Sequence, residues 1–213
     1  MRKKYSLLLA CLFIASFLTA QISGSLYYQK GYAIKTDGDT ITGFFQKRND
    51  VHLSKSVNYK ETLSVDSPTT FLAADLNCLY FEKGAVKYEQ VEYLATYNNK
   101  TSKEKRLAKP LLSGYCNLYQ LEIGDKEKPF YFEGGSEFVY VVKKDGQWSQ
   151  LSETEKMEDS QYSLTKEYIN SLRTLFYDCD AIDDEAITTI NFTAQDLIRL
   201  FTIYNNCKRN SSQ

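Results

Sequence analysis

The spacing of apolar residues changes once along this chain, and that change constrains the fold more than any other feature. From Gly31 to about Leu151, apolar residues recur mainly at every second position, in short runs separated by turn residues. A period of two is typical of half-buried strands. From Leu164 onward they recur at helical spacing instead. The sequence therefore predicts a sheet that comes first and helices that pack against it.

The predicted strands begin with a hairpin. Apolar residues alternate on both sides of Asp37-Gly38-Asp39, a sequence that favours a tight turn. Further strands are expected at 56–60, 77–82, 85–89, 117–123, 129–133 and 137–143. The architecture we predict is α+β, with an antiparallel β-meander of about eight strands packed against two or three C-terminal helices.

Two of these strands have unusual patterns. Tyr88 and Val91 both carry large apolar groups but fall on opposite faces of one strand, which predicts a bulge or break near Gln90. Residues 138–142 are apolar at every position, which is typical of a strand covered on both faces. We expect the helices to supply that cover.

Two polar stretches interrupt the pattern. Residues 98–106 contain no apolar side chain, which predicts an exposed loop open to proteolysis. Residues 149–163 are also mainly polar and are expected to link the sheet to the helices.

The helical part is predicted as two helices and a short turn between them. Tyr168, Leu172 and Phe176 lie on one face of a helix that ends near Asp178. Thr193-Ala-Gln-Asp196 has the form of a capping box, which predicts the start of a second helix. The acidic run 183–185 is expected to open a short helical turn, where negative charge suits the helix N-terminus.

Residues 1–20 have the form of a secretory signal peptide. Basic residues at 2–4 precede an apolar run of about 14 residues, whereas a membrane-spanning helix needs about 20. We place cleavage after Ala20. The bulky Leu18 leaves an uncleaved signal anchor as an alternative, and Cys11 gives a superficial likeness to a lipoprotein box, although the apolar run continues past it.

The mature chain, 21–213, is expected to form a single domain that is β-rich over 31–151 and helical over 164–207. Cleavage removes three basic residues and no acidic one, which changes the net charge from −1 to −4. A mildly acidic chain offers no basic surface for phosphates, so we expect no nucleic-acid partner. No other stretch is long and apolar enough to span a bilayer, so we expect no stable membrane insertion after cleavage and an exported, periplasmic or extracellular location.

Four cysteines remain after cleavage, and an oxidising compartment favours disulfides. Cys179 follows the last turn of the first predicted helix and Cys207 follows the last turn of the second. We therefore predict a disulfide between Cys179 and Cys207, with two buried free thiols as the alternative. Whether Cys78 and Cys116 pair depends on a strand order that the sequence leaves open.

The sequence offers little support for catalysis. His52 is the single histidine and has no other histidine or cysteine at ligand spacing, so it is interpreted as a loop residue. The motifs of serine hydrolases, nucleotide-binding loops, zinc peptidases and dithiol oxidoreductases are all missing, and we expect no cofactor, metal site or catalytic residue. A pair of carboxylates remains possible, because 27 acidic residues supply many pairs.

Tyrosine is frequent, with 17 residues against one tryptophan. Most strand tyrosines are expected to pack in the core, since the ring suits a pleated surface. Tyr27 and Tyr28 precede the first hairpin and are the candidates for an exposed binding surface.

Four short segments resemble a group of small exported proteins of Bacteroidetes-type bacteria. They are Gly31-Tyr-Ala-Ile-Lys-Thr-Asp-Gly-Asp-Thr-Ile-Thr-Gly43, Gly114-Tyr-Cys-Asn-Leu-Tyr119, Tyr177-Asp-Cys-Asp180 and Ile203-Tyr-Asn-Asn-Cys207. A signal peptide ending in Thr-Ala-Gln is also common in that group. The resemblance implies export, a sheet followed by helices and a pair of late cysteines. The group has no assigned activity, so it implies no catalytic residue.

The leading functional hypothesis is an exported, non-enzymatic protein of the bacterial envelope that binds a protein or glycan partner. The alternative is a carboxylate-dependent hydrolase of envelope polysaccharide.

Overall fold

The structure is a computed structural model that describes residues 27–97, 100–124, 127, 138–158 and 161–211. The predicted signal peptide and the predicted strand at 129–133 lie outside these ranges. Within them the chain is an α+β protein, as the sequence predicted, with a large antiparallel sheet and helices that are mostly C-terminal.

The elements follow one another along the chain with short connections. The strands are β1 (Tyr28–Lys35), β2 (Thr40–Gln46), β3 (Ser56–Lys60), β4 (Thr69–Leu72), β5 (Leu76–Phe81), β6 (Val86–Tyr97), β7 (Lys100–Leu112), β8 (Cys116–Glu122), β9 (Phe138–Lys144), β10 (Gln147–Leu151), β11 (Thr154–Glu158) and β12 (Gln161–Thr165). The helices are α1 (Asp50–Leu53), α2 (Glu167–Phe176), α3 (Asp184–Thr188) and α4 (Ala194–Ser211), and a 3-10 helix spans Ala73–Asp75.

The main sheet of the described residues has ten strands rather than the predicted eight. Its order is β10-β9-β8-β7-β6-β5-β1-β2-β3-β4, and β11 pairs with β12 separately. The strands that the sequence pattern missed are β4, β7 and β10. The predicted linker at 149–163 includes the end of β10, all of β11 and the start of β12. The meander is also interrupted once, because β5 pairs with β1 instead of β4.

Three apolar cores lie against this sheet. The N-terminal core joins β1, β2, β3, β5 and the start of β6 to α1 and the 3-10 helix. The inner core lies between the rest of β6 and the strands β8 and β9. The helical core lies on the opposite face of β8 and β9, beneath α2, α3 and α4.

The apolar residues of β6 change from one face of the strand to the other because the two halves of the strand pack against different cores. Tyr88 faces the N-terminal core, whereas Val91 and Tyr93 face the inner core on the other side of the strand. The pairing of β6 with β7 runs without a shift from Glu89 to Tyr97. The predicted bulge near Gln90 is therefore wrong. Gln90 instead donates to the carbonyl oxygens of Ala73 and Leu76, at 2.9 and 2.7 Å.

Strand β9 is buried on both faces, as its sequence predicted. Tyr140 and Val142 pack in the helical core, while Val139 and Val141 pack in the inner core. The helices therefore cover only one face of β9, and β6 covers the other face.

The helices α3 and α4 begin where their capping residues predicted. The Asp183 carboxylate accepts a hydrogen bond from the backbone N–H of Ala186 at 2.8 Å and caps α3. The Thr193 hydroxyl accepts from the N–H of Asp196 at 3.2 Å at the start of α4. In the described part of the chain, no helix is long and apolar enough to cross a membrane.

Candidate functional site

A groove of about 380 Å³ lies between the C-terminal half of α4 and the loop that joins β7 to β8. We call it the α4 groove. It is lined by Leu112, Ser113, Gly114, Tyr115, Thr202, Asn205, Asn206, Lys208 and Arg209. Hydroxyl, amide and cationic groups line it together with one aromatic ring, and its lining contains no carboxylate.

The two walls are joined by the side chain of Asn205. Its Oδ1 accepts a hydrogen bond from the backbone N–H of Cys116 at 2.7 Å, and its Nδ2 donates to the carbonyl oxygen of the same residue at 3.0 Å. The Asn205 amide thus bonds the backbone of Cys116 in the way that a second neighbouring strand would, on the side of β8 opposite its partner Lys144. We call this contact the Asn205 clamp. Gly114 permits this approach, because a Cβ there would lie 2.4 Å from Asn205 Nδ2.

Tyr115 presents the aromatic surface of the groove. Its side chain is 48% exposed, and its ring lies 6.1 Å from the buried ring of Tyr204 in a tilted arrangement. Its hydroxyl is hydrogen-bonded to the Asp145 side chain, which raises the pKa of that hydroxyl. The ring is therefore held from two sides while part of its face stays open to solvent.

A cluster of hydrogen-bonded polar side chains surrounds Asp178 beside the groove. We call it the surface knot. The carboxylate of Asp178 accepts from Lys208 Nζ at 2.6 Å and from the Tyr204 hydroxyl at 2.9 Å, and Lys144 Nζ lies 3.4 Å away. Desolvation disfavours the charged form of Asp178, but these hydrogen bonds and the nearby charge of Lys144 outweigh it and lower its pKa to about 2. Asp178 therefore stays ionised near neutral pH and is not a proton donor there.

The predicted disulfide is present beside this cluster. Cys179 and Cys207 are bonded, with their Cα atoms 6.2 Å apart. The bond joins the residue after Asp178 to the residue before Lys208, so it holds α4 against the end of α2. A disulfide suggests an oxidising, extracytoplasmic compartment. Cys78 and Cys116 are buried free thiols.

Arg209 supplies a positive charge at the rim of the groove. Its side chain donates to the Asn206 amide oxygen. It has no carboxylate partner among the residues that the structure describes. Lys208, in contrast, is engaged by Asp178 through both the carboxylate and the backbone carbonyl oxygen.

A second polar cluster lies inside the sheet, and we call it the buried knot. Arg106 and Glu127 form an ion pair in which both residues are nearly inaccessible, at 2% and 3% exposed. The Tyr97 hydroxyl donates to Glu127 Oε1 at 2.7 Å, and the N–H of Gly124 donates to Oε2 at 2.7 Å. Desolvation acts against ionisation of Glu127, but these donors and Arg106 lower its pKa overall.

The buried knot also explains why residues 100–106 belong to a strand and not to the predicted loop, although 100–103 and 105 are exposed as predicted. Residues 98 and 99 lie outside the described ranges. Residues 100–106 belong to β7, and Arg106 points to the same side as the inner-core residue Ala108. Its guanidinium lies 5.7 Å from the centre of the Tyr93 ring and is also bonded to Glu104. A polar side chain therefore occupies an inward position of the strand.

Tyr27 and Tyr28, the aromatic residues proposed from the sequence, lie at the start of β1 and do not line the α4 groove. Tyr27 is 62% exposed, and its carbonyl oxygen accepts from the N–H of Lys47 at 2.6 Å. Tyr28 is half-buried, with Lys60 Nζ 5.1 Å from its ring centre. Their part in binding stays a prediction.

His52 lies exposed on α1, and its backbone N–H donates to Asn49 Oδ1 at 3.0 Å. Within the described ranges, no group of three histidine, cysteine or acidic residues is placed to hold a metal ion.

Sequence reasoning did not predict the groove. Two of the four segments that carry the resemblance, 114–119 and 203–207, contribute residues to its walls. No family model, curated protein or solved structure matches the chain.

Proposed function

We propose that this is an exported, non-enzymatic protein of the bacterial envelope that binds a glycan in the α4 groove. The observation that carries the proposal is the groove's composition. The exposed Tyr115 ring can pack against the apolar face of a sugar ring, and the hydroxyl and amide groups around it can bond sugar hydroxyls. A fixed concave surface with a few placed polar groups is typical of a small-ligand site.

The walls of the groove are held in place before any ligand binds. The Asn205 clamp connects α4 to the start of β8, and the surface knot and the disulfide both connect α4 to the segment that follows α2. A binding site that is already ordered loses less conformational entropy on binding. This supports a binding role for the groove.

Export is supported by the form of residues 1–20 and by the resemblance to exported proteins. The disulfide agrees with both, because such bonds persist in oxidising compartments. A periplasmic or extracellular location would bring the groove into contact with envelope glycans.

A polysaccharide hydrolase would need a carboxylic acid with a raised pKa beside a second carboxylate. In the part of the chain that the structure describes, the carboxyl groups with a shifted pKa are all lowered by hydrogen bonds or cations, after opposing desolvation in several cases. They are Asp37, Asp50, Glu127, Asp178 and Asp184. These environments favour the binding proposal.

The test is a glycan array probed with the mature protein, together with pull-down from envelope extract. The variant is Tyr115→Ala, which removes the aromatic face of the groove. The matched control is Tyr177→Ala, since Tyr177 is also strongly exposed but does not line the groove. We expect Tyr115→Ala to weaken glycan binding about five- to tenfold, because an aromatic contact contributes about 1 kcal/mol. Tyr177→Ala should bind like the wild type.

Capture of a protein partner that is insensitive to Tyr115→Ala, with no glycan bound, would contradict the proposal. Turnover of a polysaccharide that is abolished by changing one carboxylate would replace it with the hydrolase.

A further inference from the structure

We propose that a second ligand site lies between β6 and β10, and that it takes the acetamido group of an N-acetylated amino sugar. The site is a cavity of about 80 Å³ lined by residues 92–94 of β6, Lys103 of β7 and residues 148–150 of β10. We call it the β6–β10 cavity. It shares no lining residue with the α4 groove, so this inference does not depend on binding there.

The cavity lies between two strands that each have an unpaired edge. β10 is the last strand of the described sheet and pairs with β9 alone. β6 pairs with β7 along its length but with β5 only as far as Glu89. Among the described residues, β6 and β10 contact each other without a hydrogen bond between them. Each strand therefore has unpaired backbone donors and acceptors among the residues that line the cavity.

The side chain of Gln150 points to a ligand. Its Oε1 is buried without a hydrogen-bond partner, and it is the one buried side-chain nitrogen or oxygen of the described residues in this state. An unpaired buried acceptor is unfavourable, so the fold alone does not explain it. Gln150 lines the cavity, and its amide turns about single bonds, so a donor in the cavity can bond this oxygen.

The rest of the lining is apolar or internally neutralised. Trp148 is half-buried, and Leu94 is 53% exposed. The two charged residues of the lining, Glu92 and Lys103, form an ion pair with each other. Lys143, whose Nζ lies 4.9 Å from the centre of the Trp148 ring, does not line the cavity. The lining therefore favours a neutral group that combines a donor with apolar surface.

An acetamido group matches this lining in size and in chemistry. Liquid water occupies about 30 Å³ per molecule, so the cavity holds a group of a few heavy atoms and not a whole sugar ring. The acetamido N–H can donate to Gln150 Oε1, and its carbonyl oxygen can accept from an unpaired backbone N–H, as a neighbouring strand would. Its methyl group can pack against Trp148, which leaves the sugar ring at the mouth of the cavity.

The experiment titrates the mature protein with chitotriose and with cellotriose. These trisaccharides have the same linkage and differ in carrying an acetamido group or a hydroxyl group on each ring. Trp148 is the single tryptophan of the chain and lines the cavity, so its fluorescence reports binding at this site. We expect a saturable change with chitotriose and binding at least about tenfold weaker with cellotriose.

The variant is Gln150→Met, which keeps the length of the side chain and removes the acceptor. Gln147→Met is the matched control, because Gln147 lies on the same strand, is exposed and does not line the cavity. We expect Gln150→Met to weaken chitotriose binding about five- to tenfold and Gln147→Met to leave it unchanged. Without ligand, Gln150→Met should unfold at a temperature no lower than the wild type, because it loses no hydrogen bond.

The outcomes distinguish this site from the α4 groove. Tyr115→Ala changes only that groove and should keep the Trp148 response, whereas loss of the response would overturn the second site. Equal binding of both trisaccharides, or unchanged chitotriose binding by Gln150→Met, would overturn the acetamido assignment. A clearly lower unfolding temperature of Gln150→Met would show that the oxygen has a structural role and would also overturn it. Tighter binding of an asparagine-containing tripeptide would replace the sugar with a peptide.

Discussion

The buried knot and the surface knot use the same chemistry at two depths in the molecule. In each, a carboxylate is held by a cation and a tyrosine hydroxyl, and its pKa is lowered. The side chain of Glu127 is fully buried, whereas that of Asp178 is 26% exposed. In the buried knot, Glu127 also pairs at 3.3 Å with Lys55, whose side chain is 42% exposed, and the other groups lie beside the inner core. The surface knot lies under an open groove and fixes the helix that forms one wall.

Burial of a hydrogen-bonded ion pair therefore determines whether the pair mainly stabilises the fold or mainly orders groups that a ligand can reach. A buried pair contributes to the fold because each partner would be costly to leave alone. A partly exposed pair contributes less free energy, but it orders groups that remain accessible to a ligand. The predictions below change one knot, or the parts attached to it, and compare the result with the other.

The largest effect is expected from breaking the buried knot. Arg106→Met leaves the buried Glu127 carboxylate with the partly exposed Lys55 as its cationic partner in place of the buried guanidinium. We expect a loss of about 3 kcal/mol in the free energy of unfolding. The double variant Arg106→Met/Glu127→Leu should recover part of that loss, because the two charges that lose their partners, Glu104 and Lys55, are partly exposed. Urea denaturation measures both.

The control is Arg173→Met, which breaks the exposed ion pair with Asp184. We expect a change within about 0.5 kcal/mol. Equal costs for Arg106→Met and Arg173→Met would contradict the role assigned to burial.

The next effect concerns the disulfide beside the surface knot. Cys207→Ser removes a bond that closes a loop of 28 residues, and we expect a loss of about 3 kcal/mol. Hydrogen exchange should increase mainly in α4, with the buried knot unaffected. The wild type treated with a thiol reductant should behave like the variant. A native secreted protein in which both thiols can be alkylated would contradict the bond.

The disulfide was predictable because its position follows from local signals. Cys179 follows the end of α2 as predicted, whereas Cys207 lies within α4, which continues to Ser211 past the predicted end. The pairing was still predictable, because two helices packed on one sheet bring these segments together. The same reasoning gave the α+β class and the double burial of β9. Each of these features depends on periodicity within one element.

Other features depend on contacts between distant elements, and the sequence could not supply them. β7 was missed because its inward Arg106 is compensated by Glu127, which lies 21 residues away. The parity change at Tyr88 and Val91 could not show that two cores lie on opposite faces. The groove depends on an amide that bonds the backbone of Cys116, a contact that no residue pattern encodes.

A smaller effect is expected when the wall of the groove is changed. Gly114→Ala places a Cβ within 2.4 Å of the Asn205 amide, which must move and lose its bonds to Cys116. We expect a loss of about 1–2 kcal/mol in stability and weaker glycan binding. Ser113→Ala is the control for stability alone, since Ser113 is exposed but lines the groove, and it should change stability by less than about 0.5 kcal/mol. Wild-type glycan binding in Gly114→Ala would show that the clamp does not shape the site.

The smallest effect is expected from the surface knot itself and depends on pH. The pKa of Asp178 is about 2 in the folded chain, below its ordinary value of 3.8. A lowered pKa stabilises the fold above the unfolded value, and this contribution is lost as the pH falls from about 4 to about 2. Asp178→Asn should therefore cost about 1 kcal/mol at neutral pH, since solvent screens the partly exposed cluster, and almost nothing near pH 2.

Urea denaturation of the wild type and Asp178→Asn at a series of pH values measures this difference directly. Glu127→Gln provides the comparison with the buried knot. Its cost should also shrink in acid, because the pKa of Glu127 is lowered too, but it should be larger at neutral pH since no solvent screens that pair. If the cost of Asp178→Asn stayed constant from pH 7 to pH 2, the ionised carboxylate would not be what holds α4. The groove would then depend on the disulfide and the Asn205 clamp alone.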